Sequence, residues 1–531
     1  MNFLKRLLVF PYLAAQDLVV RLLTRRVFTH TFLLTPGIEP LRWRLGQLRA
    51  WRTFEYAAKH VPAYRAFLAE RGVAARLDTR GGAGKAFSRV PPMDKESYIR
   101  QWSVTERSVK GRFPRRGVVV DESSGSSGAP TSWVRGPDER LATRQLLQVG
   151  FSRTAKQLTK QPFVLNAFSL GAWATGMNVS ASLTEVTMIK SIGPDKDKII
   201  ATMKEFGPHY TYIITSYPPF LKSLFEDNRI DWGTYDVATA FGGEGISENM
   251  RALILRHAYS AYGSYGASDL EINIAIETDF SVSLRQAIAR DPELSARLTK
   301  RNEYGVLPMI FQFNPFDYLM ETNDEGELLV TITRRTNINP RLRYNIHDRG
   351  HVLRLRDLAP VLAEFGLQSL AKTRQLDLPL LFLYGRSDMS LDFNGAVVAP
   401  DTVRDVVFAD PGLSARVENH RLISYEDKGG DRQLHIALQL VPDAGDAGDV
   451  DEDAVGTQVF AAMRETNGDF SNAIRTSPAE MLPTLAVYAF RTGPFAQDGS
   501  KLKNEYVWTL DGAEVDSWGL RSGYTPPCDA A

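Results

Sequence analysis

One loop is unusually rich in serine and glycine: Ser123–Ser124–Gly125–Ser126–Ser127–Gly128–Ala129–Pro130–Thr131. Its glycines let backbone N–H groups approach an anion closely, and its serines add O–H donors, so the composition suits a phosphate cradle. The Gly-Lys-Ser/Thr that a P-loop needs is missing, and Ala129–Pro130–Thr131 stands in its place. Taken alone, such a stretch fits a flexible turn equally well. Five more clusters follow in order: Phe241–Gly242–Gly243–Glu244–Gly245–Ile246–Ser247, Tyr265–Gly266–Ala267–Ser268–Asp269, Arg343–Tyr344–Asn345–Ile346–His347–Asp348, Gly385–Arg386–Ser387–Asp388 and Gly499–Ser500–Lys501–Leu502–Lys503. No Gly-x-Ser-x-Gly elbow occurs, so the nucleophilic chemistry of hydrolases has no motif here. The single cysteine, Cys528, excludes intramolecular disulfides and any Cys-ligated structural zinc or iron–sulfur site.

Regular elements must position these clusters. Helical spacing of Trp43, Leu48, Trp51, Phe54 and Ala57 predicts a helix over Leu41–Gly72, broken at Pro62. Val118–Val120 leads into the serine loop, and Asp138–Gly150 reads as helix beyond it. Strand-like Phe163–Leu165 and Tyr212–Ile214 then alternate with helical Lys196–Phe206 and Pro219–Asp227, which predicts α/β architecture with parallel strands. Hairpin texture follows from Gly305 to Val352, with Leu328–Ile332 a strand behind the turn Asn323–Gly326. After Gly385–Asp388 a helix (Asp401–Phe408) and a strand pair (Arg421–Tyr425, Gln433–Gln439) suggest a separate unit. The six acids of Asp443–Asp453 read as a solvated loop.

Lys+Arg 63 against Asp+Glu 62 leaves a formal charge of +1, so no global field favours nucleic acid. A hydrophobic share of 44% supports a large core and a cytoplasmic globular protein. The first 36 residues differ: Lys5, Arg6, Arg21, Arg25 and Arg26 face a lone Asp17. The longest apolar run, Leu7–Ala15, contains Pro11 and is far short of the ~20 residues that span a bilayer. No cleavage pattern of a signal peptide follows. Two readings stay open: a basic interfacial helix giving residues 1–35 a peripheral membrane contact, or a helix packed on the body or on a second subunit.

In their order and separations, the six clusters resemble the adenylate-forming superfamily of acyl-CoA synthetases, firefly luciferase and peptide-synthetase adenylation domains. The phenylacetate–CoA ligase branch, with its capsule-biosynthesis relatives, is most similar, through Tyr56–Tyr64 (YAAKHVPAY), Val90–Lys95 (VPPMDK), Phe168–Gly176 (FSLGAWATG) and Gly395–Pro400 (GAVVAP). The resemblance runs from near residue 40 to near residue 510. It implies an α/β fold with a large N-terminal ATP- and acyl-binding body (37–385) and a small mobile α+β C-terminal domain (386–520). An amphipathic segment (1–36) and a tail (521–531) flank them.

The resemblance also assigns roles. Ser123, Ser124, Gly125, Ser126, Ser127, Gly128 and Thr131 would hold the β,γ-phosphates of ATP. Gly243, Glu244 and Gly245 would flank the adenine, Tyr265 would stack beside the base on the Tyr265–Gly266 turn, and Ser268 would reach the α-phosphate. Asp269 would coordinate Mg²⁺, and Asp348, with Arg386 nearby, would accept from the ribose hydroxyls. Asp388 would be the hinge, and Lys501, with Lys503 its rival, would bridge carboxylate and ATP. Phe168, Trp173, Tyr217 and Phe241 would line the acyl pocket. Those four are apolar and no acid stands among them, which points to an aromatic or aliphatic acid over an amino acid. The sequence departs from the family at Asp269 (usually Glu), His347 (commonly Gly) and Met389 (usually acidic). The implied activity is ATP- and Mg²⁺-dependent adenylation of a small carboxylic acid, then acyl transfer to a thiol, CoA first among acceptors. An amine, hydroxyl or carrier-protein acceptor, or a degenerate nucleotide-binding module, are the alternatives.

Overall fold

Parallel strands covered on both faces are rich in apolar residues, and the runs Phe163–Leu165 and Tyr212–Ile214 hold the centre of the fold. Gln161–Asn166, Tyr210–Ser216, Asp236–Gly242 and Ala261–Tyr265 lie side by side in parallel, with Met188–Ser191 on the outer edge. The computed structural model describes the chain except residues 1, 36, 124–130, 156–157, 159, 172–173, 305, 373, 375, 388–389, 428–429, 443–449, 497–505, 511–514 and 528–531. Among these residues, six antiparallel strands extend the sheet to eleven. From the far edge the order is Tyr318–Thr322, Glu327–Ile332, Tyr344–Leu353, Leu380–Arg386, Met309–Phe313 and Ala275–Ile276, which pairs with Ala261–Tyr265.

The helices form where spacing and caps predict. Lys196–Phe206 starts where Asp195 accepts from the Lys198 N–H and stops at Gly207. Pro62 divides the aromatic helix into Glu39–His60 and Pro62–Glu70, a proline being tolerated in a first turn but not inside a helix. Trp51, Phe54, Tyr64 and Phe67 bury fully against the sheet. The expected hairpin is Tyr318–Thr322 with Glu327–Ile332, closed at Asn323–Gly326.

Residues 391–510 build a second core. Its sheet runs Thr484–Tyr488, Arg432–Leu440, Val417–Glu426, Val507–Leu510, the two central strands antiparallel and each outer one parallel to its neighbour. Helices Pro400–Ala409, Glu452–Thr466 and Gly468–Thr476 cover it through Val403, Val459, Met463 and Phe470. The two outer strands had no sequence reading, whereas the central pair did. Most of the acidic stretch, residues 443–449, lies outside the described residues.

At the other end, Asn2–Leu23 and Val27–Leu33 are helices, the first packed along Glu39–His60 through the Phe10–Trp51 ring contact at 4.9 Å. So the packed reading of this segment describes one of its faces.

Candidate functional site

In an open α/β sheet, ligands bind outside the carboxyl ends of the strands, where the chain leaves the ladder and backbone groups come free. The sequence-predicted residues collect there. Phe168 follows Gln161–Asn166, Tyr217 follows Tyr210–Ser216, Gly243–Gly245 follow Asp236–Gly242, and Gly266–Asp269 follow Ala261–Tyr265. Four neighbouring strands thus deliver their termini to one edge.

The Tyr265–Asp269 turn folds back tightly. A Cβ on Gly266 would stand 2.6 Å from the Asn273 nitrogen and 2.7 Å from the Glu271 oxygen, so only glycine fits. A buried ionic network holds the turn from below. Arg135 donates to the carbonyls of Ser268 and Leu270, and Arg341 donates to that of Asp269 at 2.9 Å. Burial alone would push Glu271 up, but Arg334 and the Tyr318 hydroxyl hold it below its ordinary value. Buried charges left unpaired would cost several kcal/mol each, so pairing decides whether this turn is rigid.

Two acidic centres result. Asp348 faces Arg386 directly across the strand pair, with 4.0 Å between the carboxylate and the guanidinium, and accepts from the Tyr265 hydroxyl at 2.7 Å. Three residues 121 positions apart at the extremes thus meet: the structure brings Tyr265, Asp348 and Arg386 together. Tyr265 is nonetheless a buried ring beside Phe311 whose hydroxyl is committed to Asp348. Asp269 accepts from the Tyr344 hydroxyl at 2.8 Å and lies 3.5 Å from the Lys95 ammonium.

Lys95 was quoted in the sequence only as part of VPPMDK, without a role. It reaches Asp269 because Met93 exchanges backbone hydrogen bonds with Arg343 and Asn345 on either side of Tyr344, locking that segment on the sheet. Glu327 had no sequence signal either. Asn345 donates to it at 2.6 Å, His347 Nδ1 stands 3.1 Å away, and Ser387 also donates. Burial pushes Glu327 up, yet the donors Ser387, Asn345, His347 and Asn323 hold it down at about 2. His347 has a φ of +64°, the left-handed geometry that glycine favours. The Glu327 contact offsets part of that backbone cost.

Phe168 and Tyr217 meet edge to face at 5.3 Å. Phe241 does not join them. Strand alternation turns Ala238 toward Phe168 and carries Phe241 to the opposite face, over Arg251 in the main core, so its pocket assignment is replaced by a core one. Trp173, Asp388, Lys501, Lys503 and the loop residues Ser124, Gly125, Ser126, Ser127 and Gly128 lie outside the described residues. The loop's flanks are described: Ser123 pairs with Thr131 at the end of a two-stranded hairpin, so the serine stretch is its connection.

No family model and no curated protein matches the chain. A solved structure does: 2-hydroxyisobutyryl-CoA ligase in complex with 2-HIB-AMP and CoA in the thioesterification state, at TM-score 0.60 and 14% identity, over 91% of this chain and 92% of that one. The chain shares the fold of that ligase. Amide bond synthetase McbA from Marinactinospora thermotolerans (TM-score 0.44, 15% identity, 82% and 76% covered) and a double mutant of o-succinylbenzoate CoA synthetase from Bacillus subtilis (TM-score 0.42, 13% identity, 76% and 69%) are also similar.

On this fold the C-terminal unit sits over the Phe168–Tyr217–Glu244 side of the edge. Its hairpin turn Asn394–Gly395 inserts there: the Gly395 N–H donates to Glu244, and a Cβ on Gly395 (φ +83°) would strike the Tyr217 ring at 2.7 Å. Arg432 adds a cation 3.6 Å from Glu244, Ser247 donates to Glu426 at 2.8 Å, and Asn472 donates to Ser169 at 3.1 Å. Glu244 is therefore a buried interdomain carboxylate whose pKa burial pushes up, with Arg432 opposing. Gly243 and Gly245 border it, against Tyr217 and Met309.

Asp469, in the first turn of Gly468–Thr476, is a further carboxyl that the sequence did not single out. Burial pushes it up to about 7, with Lys95 opposing. A carboxyl at about 7 when folded and near 3.8 when unfolded binds more protons in the folded state between those values. Stability therefore falls as pH rises from 4 to 7. Asp469→Asn removes the titration, and the variant will gain up to about 4 kcal/mol on the wild type across that window. Urea midpoints at pH 5 and pH 8 measure it; an unchanged gap between the two proteins would contradict the burial argument.

Proposed function

We propose that this chain is an ATP-dependent ligase that activates a carboxylic acid as its acyl-adenylate and passes the acyl group to a thiol, coenzyme A in the first instance. A carboxylate is a poor acyl donor because oxide would have to leave. Its oxygen attacks the α-phosphorus of ATP, the bond to pyrophosphate breaks, and the resulting mixed anhydride carries AMP as leaving group. A thiolate then attacks the carbonyl carbon and AMP departs. Such transfer needs positioning and charge neutralisation more than protein nucleophiles.

The observation that carries this reading is the pair of centres at one sheet edge, Tyr265–Asp348–Arg386 beside Asp269–Lys95. Asp348 would accept from a ribose, as a carboxylate already oriented by a tyrosine and an arginine. Lys95 and Arg386 would balance phosphate charge, while the hairpin connection after Ser123 would cover the outer phosphates. The donor set at Asp269 fits a magnesium ion bound through one carboxylate and nucleotide phosphates: Tyr344 and Lys95 both address Oδ2 and leave Oδ1 for a metal. When bound, the ion would supply charge neutralisation on those phosphates. Apolar Phe168 and Tyr217 favour an aromatic or aliphatic acid. That 2-hydroxyisobutyryl-CoA ligase has been solved with an acyl-AMP and CoA supports the order of the two half-reactions. A hinge at Asp388 would let the C-terminal unit leave its docked place and present Lys501 for the first half-reaction.

Nucleotide analysis tests the bond that breaks. Incubation with ATP, magnesium and an accepted acid will release AMP and pyrophosphate; ADP and phosphate would refute attack at the α-phosphorus.

A further inference from the structure

Amphipathic helices on a protein normally bury their apolar stripe and expose their charges. The first helix, Asn2–Leu23, departs from that arrangement. Of its charged residues, only Arg21 is exposed. Arg6 pairs with Glu55 at 2.6 Å, Lys5 reaches the Thr79 carbonyl, and Asp17 pairs with Arg49 and, at 2.5 Å, with Arg52. Those two arginines are 4% and 2% exposed, so the ionic contacts lie beneath the helix, alongside Leu13. The outer face is apolar. Leu4, Leu8, Leu18, Leu22, Phe28 and Phe32 are 51–76% exposed, the last two on the following helix. Most of the large apolar side chains left exposed among the described residues lie between Leu4 and Leu41. A patch this contiguous on one face marks an interaction surface.

Charge selects the occupant. Between Leu4 and Arg44 every exposed charged side chain is an arginine: Arg21, Arg25, Arg26 and Arg44. Arg21 pairs with Asp138, while Arg25 and Arg26, at the break between the two helices, have no ionic partner among the described residues. The acids of this stretch are both engaged inward, Asp17 as above and Glu39 with Arg354 at 2.8 Å. A second copy of the same face would set arginine against arginine. An anionic lipid surface would meet both features, leucine and phenylalanine entering the acyl boundary and the arginines reaching the headgroups. No helix among the described residues is long and apolar enough to cross a bilayer, and this one is fastened to the body along its length.

We propose that residues 4–44 form an interfacial membrane-docking face, selective for anionic lipid, on which the protein lies with its first helix parallel to the surface. The inference is independent of the proposed ligase activity. Flotation of the full chain with vesicles of phosphatidylcholine alone, and with an equal mixture of phosphatidylcholine and phosphatidylglycerol, tests it. The chain will float with the mixed vesicles, and Arg25→Glu with Arg26→Glu will lower that partitioning by about 30-fold or more, at about fivefold per arginine lost. Leu8→Asp with Leu18→Asp, both exposed and so harmless to folding, will abolish flotation while leaving the thermal midpoint unchanged. Absence of flotation by the wild type, or flotation indifferent to the leucine pair, overturns the proposal. A wild-type dimer in sedimentation velocity that Leu8→Asp with Leu18→Asp converts to monomer, without vesicle binding, assigns the face to a second copy and overturns it equally.

Discussion

Lys501→Ala will lower carboxylate-dependent adenylation by about 10³ while transfer from preformed acyl-adenylate survives. A lysine ammonium ~4 Å from a developing negative charge contributes about 4 kcal/mol at an effective dielectric near 20. Lost wholly from the transition state, that energy is about three decades of rate. The split between half-reactions is what makes the test specific. A surface lysine would change neither, and a residue needed for folding would remove both. Single-turnover assays with ATP plus acid, and separately with synthetic acyl-adenylate plus CoA, measure the two rates. Equal loss in both would contradict the role, and loss on Lys503→Ala alone would move it two residues along the chain.

Asp348→Ala should produce the second large effect. It removes the acceptor for a ribose, where a hydrogen bond to a charged group contributes about 1.5–3 kcal/mol. It also leaves the Tyr265 hydroxyl buried without its partner, at a further cost of about 1–3 kcal/mol, and frees Arg386 from its cross-strand neighbour. The first term falls on nucleotide binding and predicts a rise in KM for ATP of about 10- to 150-fold. The second falls on stability, so the variant will also unfold at lower urea. Tyr265→Phe separates the two: it spares the carboxylate and should cost stability with little change in KM for ATP. A KM for ATP unchanged in Asp348→Ala would remove Asp348 from the nucleotide site.

Much of the frame was legible before any fold was in hand. Two of the parallel strands carry short apolar runs, Phe163–Leu165 and Tyr212–Ile214, and Lys196–Phe206 carries both its cap and its stop in the sequence. Motif order then placed Gly243–Gly245, Tyr265–Asp269 and Asp348–Arg386 at one edge. What failed was long-range. Lys95 and Asp269 lie far apart in sequence and meet only because Met93 joins the sheet at Tyr344. Glu327 gains its partners from a hairpin that turns it toward Asn345, His347 and Ser387. Phe241 could have been corrected from the sequence, since period-two alternation separates it from Ala238. Glu244 could not: its partners Gly395 and Arg432 belong to the other unit, and docking between units leaves no local pattern.

The N-terminal segment was half legible. Its basic charge and short apolar run excluded a spanning helix, but not which face would turn inward. Arg49 and Arg52, buried in helix Glu39–His60, settle that by requiring Asp17 beneath the first helix.

The central claim is attack of a carboxylate on the α-phosphorus of ATP, and carboxylate-dependent ATP–pyrophosphate exchange with magnesium reads that step directly. Run over pools of aromatic, medium-chain and long-chain acids and of amino acids, it should show exchange with an aromatic or aliphatic pool, absent without acid and lost in Lys501→Ala. Silence in every pool, from protein shown to bind ATP, would contradict the account and leave a nucleotide-binding module with the fold of a ligase.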